Sequence, residues 1–216
     1  MFSSRRFDTV LDGVEAFAAG WGTRILRPMT RIGVIGSGNI GGTLGERWQQ
    51  AGHEVVFGAR SPEPPRTVAI ADAIQGAEVV VLATPGGAVP QLLAEHGPAL
   101  DGRVVIDATN DIGGERLNHG ETYGVNAPGA RFVRAFNTLG FEMFANPSVG
   151  GETADLFWCG PEDAGVEQLI ADVGLRPVRV GDIDAIEVVD GAARLWLTLV
   201  FRQGRPRRLA FRMLAD

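Results

Sequence analysis

Three glycines spaced as Gly36-Ser37-Gly38-Asn39-Ile40-Gly41 follow the β-branched run Arg31 to Ile35 and open a segment of helical periodicity. A GxGxxG is weak evidence alone; between a strand and a helix it is a dinucleotide fingerprint. Gly36 permits the tight turn, Gly38 keeps side-chain atoms away from the pyrophosphate, and Gly41 lets the helix lie close on the strand. The unpaired N–H groups at the helix start, with the positive end of its dipole, receive the phosphates. The rival reading is a glycine-rich turn that binds nothing.

The choice between NAD and NADP falls at the end of the second strand. An NAD protein places a carboxylate there, about 20 residues beyond the glycines, to hold the ribose hydroxyls. This chain reads Phe57-Gly58-Ala59-Arg60-Ser61, with no acid. A carboxylate would repel a 2′-phosphate, whereas Arg60 grips one through its planar donor fork and Ser61 adds a neutral donor. NADP(H) is the expected cofactor. The bland alternative is that Arg60 is a surface charge.

Ligands of open α/β sheets lie beyond the carboxyl ends of the strands. Those ends are Thr84-Pro85, Asp107-Ala108-Thr109-Asn110 and Asn137-Thr138. They supply hydroxyls and amides that can orient a carboxamide or a flat heterocycle, so Thr84, Asn110, Asn137 and Thr138 are the expected reaction-site residues. Strand-terminating turn chemistry explains the same residue types. No histidine, tyrosine or lysine stands at a strand end to act as general base, which argues against alcohol-to-ketone chemistry. Hydride transfer between two redox heterocycles demands mainly proximity and stacking.

The elements that must position these groups alternate from residue 31 onward as strand and helix, the pattern of a Rossmann-type doubly wound, mostly parallel sheet. Strands are expected at 31–35, 54–57, 78–83, 103–107 and 131–136. Helices are expected at 42–51, 67–75 and 87–93, with a helical turn at 141–145. The stretch 110–129 reads either as a loop holding one short helix or as a lid over the cofactor. Beyond it a small C-terminal α/β cap on the same sheet is expected: a strand at 154–159, a helix starting at Pro161 and stopped by Gly174, and a strand at 176–180. A last helix over about 183–202 is apolar apart from a stripe of Glu187, Asp190 and Arg194, with Asp190 and Arg194 able to pair at i,i+4. So apolar a helix must be covered, and a homodimer is the natural expectation. The domain reading is an N-terminal extension at 1–28, an NADP-binding domain at 29–150 and the C-terminal segment at 151–216. Met29, just before the first strand, is the suspected natural start, so that residues 1–28 would be poorly packed.

Composition narrows the classes further. The 216 residues carry a formal net charge of −6, and the only basic concentration is Arg202, Arg205, Arg207, Arg208 and Arg212, read as a solvated tail. Nucleic acid is therefore an unexpected partner. All 20 basic residues counted as lysine plus arginine are arginine. Without lysine there is no Walker-A phosphate binding, no Schiff base and no lysine-assisted hydroxyacid dehydrogenation. The single Cys159 and the scattered His53, His96 and His119 give no disulfide and no zinc signature, which suits a reducing cytoplasm. No apolar run approaches the ~20 residues of a membrane span, so no membrane partner is expected.

The chain resembles the NADPH:F420 oxidoreductase family over about residues 31–200. The likeness rests on Ile35-Gly36-Ser37-Gly38-Asn39-Ile40-Gly41, Gly58-Ala59-Arg60, Arg134-Ala135-Phe136-Asn137-Thr138, Phe157-Trp158-Cys159-Gly160, Gly181-Asp182-Ile183 and Leu195-Trp196-Leu197. The resemblance implies hydride transfer between NADPH and a deazaflavin (F420) or flavin-like ring. It implies Ser37, Asn39 and Ile40 around the pyrophosphate, Ala59-Arg60-Ser61 at the 2′-phosphate, and a homodimer. Ala59 stands where archaeal members have serine, and the stretch after Asn110 is shortened relative to bacterial relatives. Two alternatives stay open: a small NADPH-dependent imine or ketone reductase, and a non-catalytic NADP(H)-sensing protein.

Overall fold

The structure is a computed structural model that describes residues 29–214. The expectation about residues 1–28 lies outside the described residues.

The strands begin where apolar runs too short for a helix meet a glycine or a turn. β1 (Arg31–Ile35), β2 (Glu54–Ala59), β4 (Val79–Leu82), β5 (Val104–Asp107) and β6 (Arg131–Arg134) form the parallel centre of an eight-stranded sheet. β3 (Val68–Ala69) closes one edge; β9 (Asp155–Cys159) and β10 (Arg176–Gly181) form the other. The order is β10-β9-β6-β5-β4-β1-β2-β3. Its core repeats the 3-2-1-4-5-6 order of dinucleotide-binding sheets, with the switch point between β1 and β4. The Rossmann-type expectation is borne out. β9 runs antiparallel to β6, joined at Arg134 and Cys159, so the sheet is mostly parallel. β7 (Ser148–Val149) and β8 (Glu152–Thr153) make a separate hairpin.

α1 (Asn39–Ala51) starts three residues before its expected first turn and ends at Gly52, whose φ of 98° is the left-handed conformation that glycine tolerates. Its buried face, Leu44 and Trp48, packs on Ile32 and Val34 of β1. α5 (Phe141–Ala145), α6 (Ala164–Asp172) and α7 (Ile186–Leu197) cover the same face of the sheet. The opposite face is covered by α2 (Ile70–Ile74), α3 (Val89–His96) and α4 (Gly120–Asn126), against Ile35, Val80, Leu82 and Val105.

Several sequence expectations change. The helix expected at 67–75 shrinks to α2, because Val68 and Ala69 pair with Gly58 and Ala59 to extend the sheet. Pro161 lies outside α6: Asp163 is the cap, its carboxylate accepting from Gly165 N and Val166 N at 2.8 and 3.2 Å. The last helix is α-helical only to Leu197 and continues as a π-helical turn over Thr198–Arg202.

Three arginines of the C-terminal segment make it a strap, while Arg202 and Arg205 stay exposed as expected of a solvated end. Arg207 pairs with Glu142 and lies over the rings of Phe141, Trp196 and Phe201. Arg208 donates to Ser148 O at 2.6 Å, and Arg212 reaches Asp155 at 3.4 Å. Glu142, Asp155 and the Ser148 carbonyl, all distant in sequence, supply the partners. Among the described residues no helix is long and apolar enough to cross a membrane.

Candidate functional site

The glycine loop sits where β1 turns into α1, at the switch point. Gly36 has φ 104°, and a Cβ there would lie 2.6 Å from Ala83 O. A Cβ on Gly41 would lie 1.9 Å from Gly36 O, so the helix approaches its own turn only because that residue is bare. Gly38 differs: nothing stands within 4 Å of its missing Cβ. The space over Gly38 is thus open, and it faces the unpaired amides of the first turn of α1. Such a cradle fits a pyrophosphate.

A cavity of about 260 Å³ opens beside this loop, lined by Gly36, Gly38, Ala59, Arg60, Thr84 and Pro85 among others. It joins the carboxyl ends of β1, β2 and β4. Arg60 is exposed, makes no hydrogen bond or ion pair among the described residues, and stands on the wall of a cavity whose lining acid is Glu95 of α3, with no carboxylate beside it at the end of β2. Ala59 ends β2 and Ser61 is exposed one residue beyond Arg60, outside the lining. A second cation was not foreseen: Arg66 folds back to donate to Ser37 O at 3.3 Å. The carboxyl-end hydroxyl of Thr84 is buried and has no partner among the described residues.

The other expected residues gather around Arg134. This last residue of β6 is fully buried and uses its whole guanidinium. Nη1 donates to Thr109 O at 2.5 Å and faces Asp107 at 3.2 Å; Nη2 donates to Asn110 Oδ1 at 3.1 Å; Nε donates to Asp190 Oδ1 at 2.9 Å. Asn110 Nδ2 donates to Asn137 O at 2.8 Å, so both ends of the Asn110 amide are spent inside the protein. Asn137 Nδ2 donates to Asp190 Oδ1 at 3.0 Å, while Asn137 Oδ1 and Thr138 Oγ1 are buried without partners among the described residues. Asn110 and Asn137 are thus brought together, and Thr84 and Thr138 lie apart from their bonds.

Between β6 and these residues the backbone is strained: Phe136, fully buried between Trp48 and Phe144, has φ 61°. A bulky residue in the left-handed region costs about 1–3 kcal/mol and persists where packing over-determines it. The strain redirects the chain at the residue just before Asn137 and Thr138.

Asp190 overturns one sequence expectation. It does not pair with Arg194 on a polar helix stripe; it is fully buried and receives Arg134, Asn137 and, at 2.8 Å, Asn118 Nδ2. The only local hint was an arginine in an otherwise apolar strand end and an acid within an apolar helix. His119 is the other surprise. The loop after β5 carries it back so that Nε2 lies 3.0 Å from Gly86 O and 3.4 Å from Asp111 Oδ2. An imidazole–carboxylate pair therefore does stand at the carboxyl ends of β4 and β5. The stretch 110–129 holds one short helix, α4, and its loop is fastened by Asp111 N donating to Leu117 O at 3.0 Å.

Residues 31–111, which carry the glycine loop, Arg60 and Asn110, match the family described as NADP oxidoreductase, coenzyme F420-dependent. The resemblance read from the motifs is borne out over that span. A protein from Arthrobacter sp. FB24, provisionally described as an F420-dependent NADP reductase, has 26% identity and a TM-score of 0.67, over 81% of this chain and 95% of that one. A hypothetical protein from Sinorhizobium meliloti has 29% identity and a TM-score of 0.61, over 73% and 87%. A reductive aminase from Aspergillus terreus, in complex with NADPH and ethyl levulinate, has 19% identity and a TM-score of 0.55, over 83% and 69%. At that identity the last likeness is one of fold alone. The chain is similar to NADP-dependent oxidoreductases.

Proposed function

We propose that this protein is an NADP(H)-dependent oxidoreductase that passes hydride between NADPH and a deazaflavin (F420) or flavin-like ring. The observation that carries the reading is Arg60: a guanidinium without an internal partner on the wall of the cavity beside the glycine loop, with no carboxylate where NAD proteins place one. The open space over Gly38 would take the pyrophosphate, with Arg60 on the 2′-phosphate and Thr84 and Pro85 lining the path. The nicotinamide half then lies toward the ends of β5 and β6, where Arg134 holds Asn110 and Asn137. The cofactor supplies the hydride chemistry; the chain binds, orients and excludes water. The match of residues 31–111 to coenzyme F420-dependent oxidoreductases supports a deazaflavin as the second ring.

The test is NADPH oxidation followed optically with coenzyme F420 as acceptor, and with NADH, FMN and FAD as controls. Turnover with NADPH and F420 is the expected result. NADPH binding without turnover on any ring would defeat the acceptor assignment and leave a sensor.

One observation favours a second reading. Reduction of an imine or ketone needs a proton at nitrogen or oxygen as well as a hydride at carbon, and the His119–Asp111 pair is a proton source of suitable chemistry. Reduction of cyclic imines or small ketones by NADPH, without activity on F420, would favour it.

We also propose a homodimer. Val188, Leu195 and Phe201 leave large apolar side chains exposed along α7 and its π-helical extension. A monomeric mass in solution would overturn this.

A further inference from the structure

The strand-end network holds one more carboxylate than guanidinium. Arg134 faces Asp107 at 3.2 Å and Asp190 at 2.8 Å, and all three side chains are fully buried. One positive and two negative groups leave the cluster with a formal charge of minus one. The buried groups packed around it do not offset this, and on the helix of Asp190 the exposed cation Arg194 is matched by the exposed anion Glu187. Glu187, on the same helix as Asp190, has the same sign and accepts from Asn118 at 3.3 Å. Tyr123 of α4 stays a neutral phenol, because burial and then the charge of Asp107 push its ionisation well above the usual range. Cys159 of β9 stays a thiol, pushed up to about 12 chiefly by burial. Arg179 and Asp184, which also act on Cys159, are of opposite sign. His119 faces a carboxylate of its own, Asp111.

A buried carboxylate without a full counter-charge is costly, and stability alone does not explain its presence. A developing positive charge nearby would gain from it. When hydride leaves a dihydronicotinamide, both bonding electrons pass with it to the acceptor, and the ring left behind carries a charge of plus one. Fixed charge of the opposite sign, held in place beforehand, stabilises that ring without reorganisation.

We propose that Asp190 is the electrostatic element of the nicotinamide half of the site: its charge, held at the ends of β5 and β6 by Arg134, Asn118 and Asn137, favours the oxidised, cationic ring over the reduced, neutral one. The inference rests on the NADP(H) reading above. Asp190 is the member to test, because replacing it with a neutral residue leaves Arg134 and Asp107 as a balanced pair. It acts from beneath Asn137, and is a positioning residue whose effect reaches the cofactor through space.

The experiment is a pair of dissociation constants, for NADP⁺ and NADPH, measured by calorimetry and nicotinamide fluorescence without any acceptor. Wild-type protein should hold NADP⁺ the more tightly. Asp190→Asn and Asp190→Ser should each lower that preference about tenfold, the order expected for removing one fixed unit charge near the ring at an effective dielectric of about 20. Equal weakening of both forms would mean that Asp190 only shapes the pocket, and would overturn the proposal. Should neither variant fold, as judged by thermal melting, the wild type decides alone: tighter binding of NADPH than of NADP⁺ overturns it. Failure of either form to bind at all overturns the cofactor reading itself, and the electrostatic role with it. Inactivity toward F420 touches neither constant.

Discussion

Arg134 Nη2 and Asp190 Oδ1 lie 2.8 Å apart, both side chains wholly buried, although 56 residues of chain separate them. The pair fastens the C-terminal helix to the end of the central sheet at the place where the reaction site is expected. Replacing Arg134 with methionine keeps the volume and strands two carboxylates in the interior. The loss should be about 3–5 kcal/mol, read as a lowered denaturation midpoint in urea. A variant as stable as wild type would show that the network is solvated in solution.

Gly38 and Gly41 should respond differently to the same methyl group. Gly41→Ala drives a Cβ to 1.9 Å from Gly36 O, so it should cost about 1–3 kcal/mol of stability and bind no dinucleotide. Gly38→Ala meets nothing within 4 Å, so it should change stability by less than about 0.5 kcal/mol. It should nonetheless weaken NADPH, because the methyl occupies the phosphate's space. Thermal melting and a binding titration on both variants separate the two effects.

Arg60→Ala should discriminate between cofactors. Hydrogen bonds to a charged group contribute about 1.5–3 kcal/mol, so NADPH should bind about ten- to a hundredfold more weakly. NADH, which has no 2′-phosphate, should be nearly unaffected. Equal loss of both would remove Arg60 from the cofactor.

Acid should loosen the strap. Burial alone would raise the ionisation of Asp155, but Arg176 at 2.6 Å, Met213 N at 2.6 Å and the charge of Arg212 outweigh it and hold the carboxyl below its usual range. Its folded-state value is below the unfolded one, so its contribution is present above the ordinary carboxylate range. That contribution fades as pH falls below about 4. Wild-type protein should therefore lose melting temperature in that window, and Arg176→Gln should show a shallower slope. Parallel curves would mean that other carboxylates govern the acid limb.

The sequence made the cofactor half legible because its signals are local. The β-branched runs, the glycine spacing and the missing acid at Arg60 each lie within a few residues, and the parallel, doubly wound sheet follows from the alternation of strand and helix. What escaped was set by distant partners. Asp190 reads as a surface acid until Arg134 is known to point at it. His119, twelve residues past the end of β5, reaches Gly86 only because the loop doubles back between Asp111 and Leu117. The tail arginines look solvated until Glu142, Ser148 and Asp155 are found beneath them. Val68 and Ala69 joined the sheet against a helical pattern because an edge of β2 lay open to them.

The strap also makes one indole an optical gauge. Trp48 and Trp158 are sealed in the core, with no exposed surface. Trp196 instead donates its Nε1–H to Leu209 O at 2.9 Å, with the guanidinium of Arg207 over its ring. Lifting residues 204–214 would strip both contacts from that indole and admit water to its face. Its emission should then shift to longer wavelength while the two core indoles stay as they were. Attachment of the strap can thus be followed in real time on unlabelled protein in which the fourth tryptophan, Trp21, is replaced by phenylalanine.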